Sequence, residues 1–202
     1  MEVSAIAIRE LREKTGAGIM DCKKALAAAG GDAAKAVDYL RQKGLAAAAK
    51  IADRVATDGA VTAYVHPGGK IGVLVEINCQ TDFVARTAEF QTLLKDIAMQ
   101  VAAANPRYLR REEVSQEELE RERAIHRQQA LDSGKPENIV DKIVDGKMER
   151  FFSEVCLWEQ AFIKDPDRKV SDIIHDAVAR LGENIQIRRF TRYYLGEGMA
   201  TN

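Results

Sequence analysis

Between Ile71 and Val101 the chain changes its hydrophobic period abruptly, and the residues at the change leave few folds open. Ile71, Val73, Val75 and Ile77 alternate with Gly72, Leu74, Glu76 and Asn78, the period-two pattern of a half-buried strand. Phe90, Leu93, Leu94, Ile97 and Val101 then recur at helical spacing. A strand must therefore hand over directly to a helix, across Cys79-Gln80-Thr81-Asp82-Phe83-Val84-Ala85-Arg86. That corner sets a large aromatic ring among polar residues. Corners of this kind carry function more often than the elements they join. Two readings of it stand on the residues alone. Thr81 or Asp82 caps a turn and Phe83 folds back into the core, or Phe83 is presented outward.

The flanking sequence builds helices around this strand. Residues 1–50 read as a three-helix unit. Ser4 caps a first helix carrying Ile6, Ile8 and Leu11, and Thr15-Gly16-Ala17-Gly18 breaks it. A second helix holds Met20, Cys22 and Leu26. Gly30-Gly31-Asp32 breaks again, with Asp32 the cap of a third helix that carries Ala36, Val37 and Leu40 and stops near Gly44. This unit resembles a ubiquitin-associated interaction module. Leu45 to Lys50 reads as a helical linker. Val61, Ala63 and Val65 alternate as a strand, and His66-Pro67-Gly68-Gly69-Lys70 joins it to the Ile71 strand as a hairpin.

Beyond Asn105-Pro106, Ser115 to Glu118 reads as a capping box before a helix rich in Glu and Arg, whose charges suit a solvated face. Gly134-Lys135-Pro136 starts another helix with Ile139, Val140, Ile143 and Val144, and Met148 to Val155 continue it after Gly146. Asp165-Pro166-Asp167 reads as a turn. Ser171 caps a helix with Ile174, Ala177, Val178 and Leu181, ended by Gly182. Ile185, Ile187, Phe190, Tyr193 and Tyr194 give a last strand. The fold class is α+β: the three-helix domain over 1–50, then over 51–202 a small antiparallel sheet packed with helices.

Composition removes several classes of function. Charged residues make up 30% of 202 residues but balance to a net charge of −1, which disfavours direct nucleic-acid binding and a polybasic membrane patch. No apolar run reaches the ~20 residues of a membrane span. The N-terminus lacks a secretory pattern, so the expected location is cytoplasmic. Cys22, Cys79 and Cys156 are far apart and form no zinc-type cluster, so buried free thiols and no metal are expected. Gly16-Ala17-Gly18 follows no strand, and Gly134-Lys135 lacks the upstream glycine of a phosphate loop, so no nucleotide cofactor is expected. His66, His126 and His175 have no motif partners, and no catalytic arrangement stands out.

The corner and the run Leu11-Arg12-Glu13-Lys14-Thr15-Gly16-Ala17-Gly18-Ile19-Met20-Asp21-Cys22-Lys23-Lys24-Ala25-Leu26 resemble the two signatures of bacterial elongation factor Ts, in the right order. That family comprises the nucleotide-exchange factors of the GTPase elongation factor Tu. The resemblance covers nearly the whole chain as a short form, without the second core copy and coiled-coil insertion of longer relatives. It implies that Thr81, Asp82, Phe83 and Val84 help dislodge magnesium from elongation factor Tu. It also implies that Arg12, Ile19 and Met20 touch the same GTPase domain, and that His66, Leu181 and Gly182 lie near a partner helix. Ile19 replaces a methionine and Leu181 an isoleucine found in relatives. With one core copy where long relatives have two, the expected assembly is a homodimer in a 2:2 complex; Ile185, Ile187 and Phe190 on the last strand are either its interface or ordinary intramolecular core. Two alternatives stay open: a ubiquitin-associated-type adaptor without exchange activity, and a small metabolic enzyme.

Overall fold

The computed structural model describes residues 3–198. Helices α1 (Ala5–Thr15), α2 (Ile19–Ala28) and α3 (Ala33–Ile51) come first, then strands β1 (Asp58–Val65) and β2 (Ile71–Cys79). The one-turn α4 (Asp82–Ala85) leads into α5 (Ala88–Ala104). Next come α6 (Gln116–Asp132), α7 (Glu137–Val155), β3 (Ala161–Phe162), β4 (Asp165–Lys169), α8 (Val170–Leu181) and β5 (Gln186–Tyr194). The α+β class expected from the sequence is the observed one.

One sheet has the order β1-β2-β5 and a second pairs β3 with β4. The first begins as the expected hairpin, closed by His66 N–H donating to the Ile71 carbonyl at 2.9 Å. β5 runs antiparallel to β2. Leu195 N–H donates to the Lys70 carbonyl at 2.8 Å, Arg189 pairs with Glu76 at 2.6 Å, and Asn184 N–H reaches the Gln80 side chain at 3.1 Å. One strand's numbers thus fall as the other's rise. Val73, Val75 and Ile77 on β2 and Ile187 on β5 are buried, as is Ile185 just before β5. Of the two roles open to Ile185 and Ile187, interface or intramolecular core, they take the core one. The opposite face is apolar and open: Val61 and Val65 are 65% and 66% exposed, with Leu74 and Tyr193 also exposed. Near the start of β1 only glycine fits. Gly59 has φ +141°, and a Cβ there would stand 2.2 Å from the Ile77 carbonyl oxygen.

Two compact units divide the chain: Met1–Ala60 with Ile77–Leu93 and Asp172–Arg188, and Val61–Glu76 with Leu94–Ser171 and Arg189–Asn202. In the first, Leu11, Cys22, Ala25, Leu26 and Ala36 form the shared core of α1, α2 and α3. Ser4 and Asp32 cap as expected, accepting from Ala7 N–H and Lys35 N–H at 3.1 Å each. α3, however, does not stop at Gly44. It runs on to Ile51, because Gly44 is buried against α8, where a Cβ would sit 3.5 Å from that of Ala179. Arg41 on the same helix pairs with Asp172 of α8 at 2.8 Å. Tertiary packing outweighs the roughly 1 kcal/mol helix penalty of glycine.

In the second unit α6 and α7 form a helical hairpin over Val140, Val144, Met148, Phe151 and Phe152. α6 buries Ala130 alone and turns charges outward, as expected; Arg123 pairs with Asp145 of α7 at 3.3 Å, and Arg127 with Asp141. α7 passes through Gly146 without a break. Asp165-Pro166-Asp167 is not a turn but the start of β4, since Ile163-Lys164 already reverses the chain. Pro166 is tolerated in a two-stranded sheet, where every strand is an edge. Ser171 lies inside α8, one residue past its start, instead of capping it.

Candidate functional site

β2 ends on Cys79, whose buried Sγ donates to the Thr81 carbonyl at 3.1 Å. Burial first, and the neighbouring Glu183 charge second, push that thiol up from 9.0, so it stays protonated at neutral pH. Thr81 is extended (φ −136°, ψ 153°), and its Oγ1 accepts from Val84 N–H at 3.4 Å as the N-cap of α4. Thr87 closes the other end. Its hydroxyl donates to the Val84 carbonyl at 2.8 Å and accepts from Phe90 N–H at 3.2 Å, which starts α5. Gln91 donates to the Ala85 carbonyl at 2.8 Å. Every residue of this turn is tied to a neighbour, with Ala85 buried beneath it.

Phe83 is the exception. It is 81% exposed, the most exposed of the large apolar side chains among the described residues. Leaving a phenylalanine outside forgoes roughly 1.5–3 kcal/mol of burial. Asp82 beside it pairs with Arg86 at 2.8 Å, both partly solvated, so the pair contributes little to stability. Of the two readings of this corner, the outward one is observed, and the cap is Thr81.

The corner is held from far along the chain. One oxygen of the Glu183 carboxylate accepts from Gln80 N–H at 2.9 Å and Thr81 N–H at 3.1 Å, and the other accepts from the Thr81 hydroxyl at 2.6 Å. Asn184 donates through its side chain to the carbonyls of Ala52 at 2.9 Å and Arg54 at 2.7 Å. Leu181 and Gly182 immediately precede this clamp. Gly182 takes φ +74° and ends α8, donating to the Val178 carbonyl at 2.9 Å. Arg180 forms an ion pair with Glu89 and reaches the Thr15 carbonyl at 3.5 Å, so the first-signature loop lies against the end of α8.

The first compact unit therefore gathers Arg12, Ile19, Met20, Thr81, Asp82, Phe83, Val84, Leu181 and Gly182. Arg12 is exposed, and Ile19 and Met20 are 55% and 62% exposed at the start of α2. His66 belongs to the second unit. It is exposed in the β1–β2 loop, with Nδ1 3.0 Å from the Tyr64 hydroxyl. Glu183, Asn184 and Arg180 are functional partners of the corner that the sequence does not mark. Their one local signal is that Glu-Asn follows a helix-ending glycine, which says nothing about a partner a hundred residues away.

All three cysteines are free and buried, as expected. Among the described residues no group of three or more His, Cys, Asp or Glu side chains could hold a metal ion, and no helix is long and apolar enough to cross a membrane. A shallow cavity of about 300 Å³ in the second unit is lined by Arg110, Trp158, Lys169 and Ser171 among others, and Arg110 stacks 3.9 Å above the Trp158 ring. It contains none of the site residues that the sequence resemblance implies.

Comparison with known proteins bears on the corner and its surroundings together. A family model described as "Elongation factor TS" matches residues 47–197. Elongation factor Ts of Carboxydothermus hydrogenoformans is 63% identical over 193 residues, covering 96% of this chain and 89% of that protein. That of Heliobacterium modesticaldum is 62% identical over 198 residues, covering 98% and 92%. That of a Thermoanaerobacter species is 60% identical over 200 residues, covering 99% and 98%.

Proposed function

The chain belongs to the elongation factor Ts family, and from that premise we propose that it is the guanine-nucleotide exchange factor of elongation factor Tu. It binds the GDP form of that GTPase and inserts Phe83 between helices of the GTPase domain. With Thr81, Asp82 and Val84 alongside, it disturbs the magnesium and phosphate site so that GDP leaves and GTP loads. The observation that carries this reading is the exposure of Phe83 on a corner otherwise bonded at every residue.

The logic is differential binding. A factor that bound the GDP-holding and the open arrangement equally would shift nothing. Burying Phe83 supplies roughly 1.5–3 kcal/mol, about one to two powers of ten. Ile19 and Met20, exposed in the same unit, add apolar area, and Arg12 adds charge. Leu181, Gly182 and His66 supply further contacts. Coupling is reciprocal: if the factor loosens GDP, nucleotide loosens the factor, and incoming GTP releases it. The factor breaks no bond and is not an enzyme. It uses no nucleotide or metal of its own and touches neither nucleic acid nor membrane. It works in the cytoplasm.

Residues 1–50 act as a distinct binding module and 51–202 as the core. The assembly is a homodimer in a 2:2 complex. The open apolar sheet face around Val61, Val65, Leu74 and Tyr193 supports it, since a second copy would cover a patch of this kind. The deciding experiment for the exchange activity is release of fluorescent GDP from purified elongation factor Tu, with ubiquitin binding as the control. Accelerated release without ubiquitin binding is expected. Ubiquitin binding without accelerated release would favour the adaptor instead.

A further inference from the structure

α4 is a single turn, too short to hold its own orientation, because a lone helical turn is costly to nucleate. Phe83 is therefore aimed by whatever grips the residues before it. The grip is a carboxylate with three donors pointed at it: the backbone amides of Gln80 and Thr81 and the Thr81 hydroxyl. The hydroxyl is used twice, donating to Glu183 and accepting from Val84 N–H, so it passes the anchor on into α4. The clamp is also reciprocal, for the Gln80 side chain accepts from Asn184 N–H at 3.1 Å. Asn184 fixes the far side to the end of α3 through two carbonyls.

We propose that Glu183 is a positioning residue for nucleotide exchange, which presents Phe83 to the GTPase in one preset orientation. The inference rests on the wedge role of Phe83 given above. Its physical content is preorganisation. A ring on a loose turn must be ordered during docking, and that cost is subtracted from the work done on the nucleotide site. The broad contact surface on α1 and α2 does not depend on Glu183, so binding and acceleration should separate.

The test uses the full chain with Glu183→Ala, Glu183→Gln, Phe83→Ala and the Phe83→Ala/Glu183→Ala double substitution. Release of fluorescent GDP from elongation factor Tu is followed by stopped flow over a range of factor concentrations. Hydrogen exchange is measured across residues 80–86. Glu183→Ala should lower the maximum release rate about ten-fold, the scale of losing charge-assisted hydrogen bonds. The half-saturating concentration should change by no more than about two-fold, since uniform binding is retained. Glu183→Gln should lose less, as its amide oxygen still accepts from the two backbone amides. The double variant should be no slower than Phe83→Ala alone, the non-additivity of residues acting as one unit. The Gln80 and Thr81 amides should lose protection while α8 keeps its own. If Glu183→Ala does not fold, Glu183→Gln decides by the same readouts. Wild-type maximum rates in the folded Glu183 variants, with Phe83→Ala slow, would overturn the positioning role and leave the wedge standing. So would additive effects in the double variant. A wild-type rate for Phe83→Ala would remove the wedge reading itself, and the positioning role with it.

Discussion

Local chemistry and distant chemistry separate cleanly at the level of single residues. Ser4, Asp32 and Thr81 cap helices as their side chains dictate, because the bond each makes lies three residues away. Glu183 and Asn184 bond to residues more than a hundred positions distant, and no pattern in the sequence announces such a bond. The cysteines make a testable case. Burial first, and the Glu159 charge second, push the Cys156 thiol up from 9.0 to about 11. The folded state therefore holds this proton more tightly than the unfolded chain. The resulting stability is fully present below pH 9 and is lost as pH rises through about 11. Urea unfolding at pH 8 and pH 10 should show wild type losing more stability across that interval than Cys156→Ala. Equal losses would show that the thiol is not held protonated by its surroundings.

Whole elements were legible where their period was long and unbroken, and less so where one residue carried two messages. The strand–corner–helix run over β2, α4 and α5 follows directly from the change of period, as do the hairpin and the last strand. Gly44 reads as a helix stop but serves as a flat surface for α8, and no single sequence distinguishes a breaking glycine from a packing one. Asp165-Pro166-Asp167 has turn composition, yet it becomes a strand because the preceding pair already turns the chain. On β1 the alternation marks the strand but leaves open which side is buried, and Val61 and Val65 are on the exposed side. Because a Cβ at Gly44 would meet Ala179 at an ordinary 3.5 Å, Gly44→Ala should stabilise the protein. The expected gain is about 0.5–1 kcal/mol, a rise of roughly 1–4 °C in Tm. A fall in Tm on thermal unfolding would mean that the α3–α8 contact is tighter than this geometry gives.

At the scale of the whole molecule, two sets of exposed apolar residues have different proposed partners. Val61, Val65, Leu74 and Tyr193 lie on one sheet face, whereas Phe83, Ile19 and Met20 belong to the other compact unit. If the sheet face joins two copies, light scattering after size exclusion should give a dimer for wild type and a monomer for Leu74→Lys with unchanged circular dichroism. A monomeric wild type at micromolar concentration would refute the dimer. The gathering of the signature residues in one unit makes a sharper claim: a broad surface supplies affinity while one ring acts on the nucleotide site. Stopped-flow release of fluorescent GDP from elongation factor Tu, with titration of the nucleotide-free GTPase alongside, tests it directly on Phe83→Ala. Release should slow by about one to two powers of ten, the value of burying one phenylalanine, with affinity for the nucleotide-free form much less affected. Wild-type acceleration by a folded Phe83→Ala protein would contradict it.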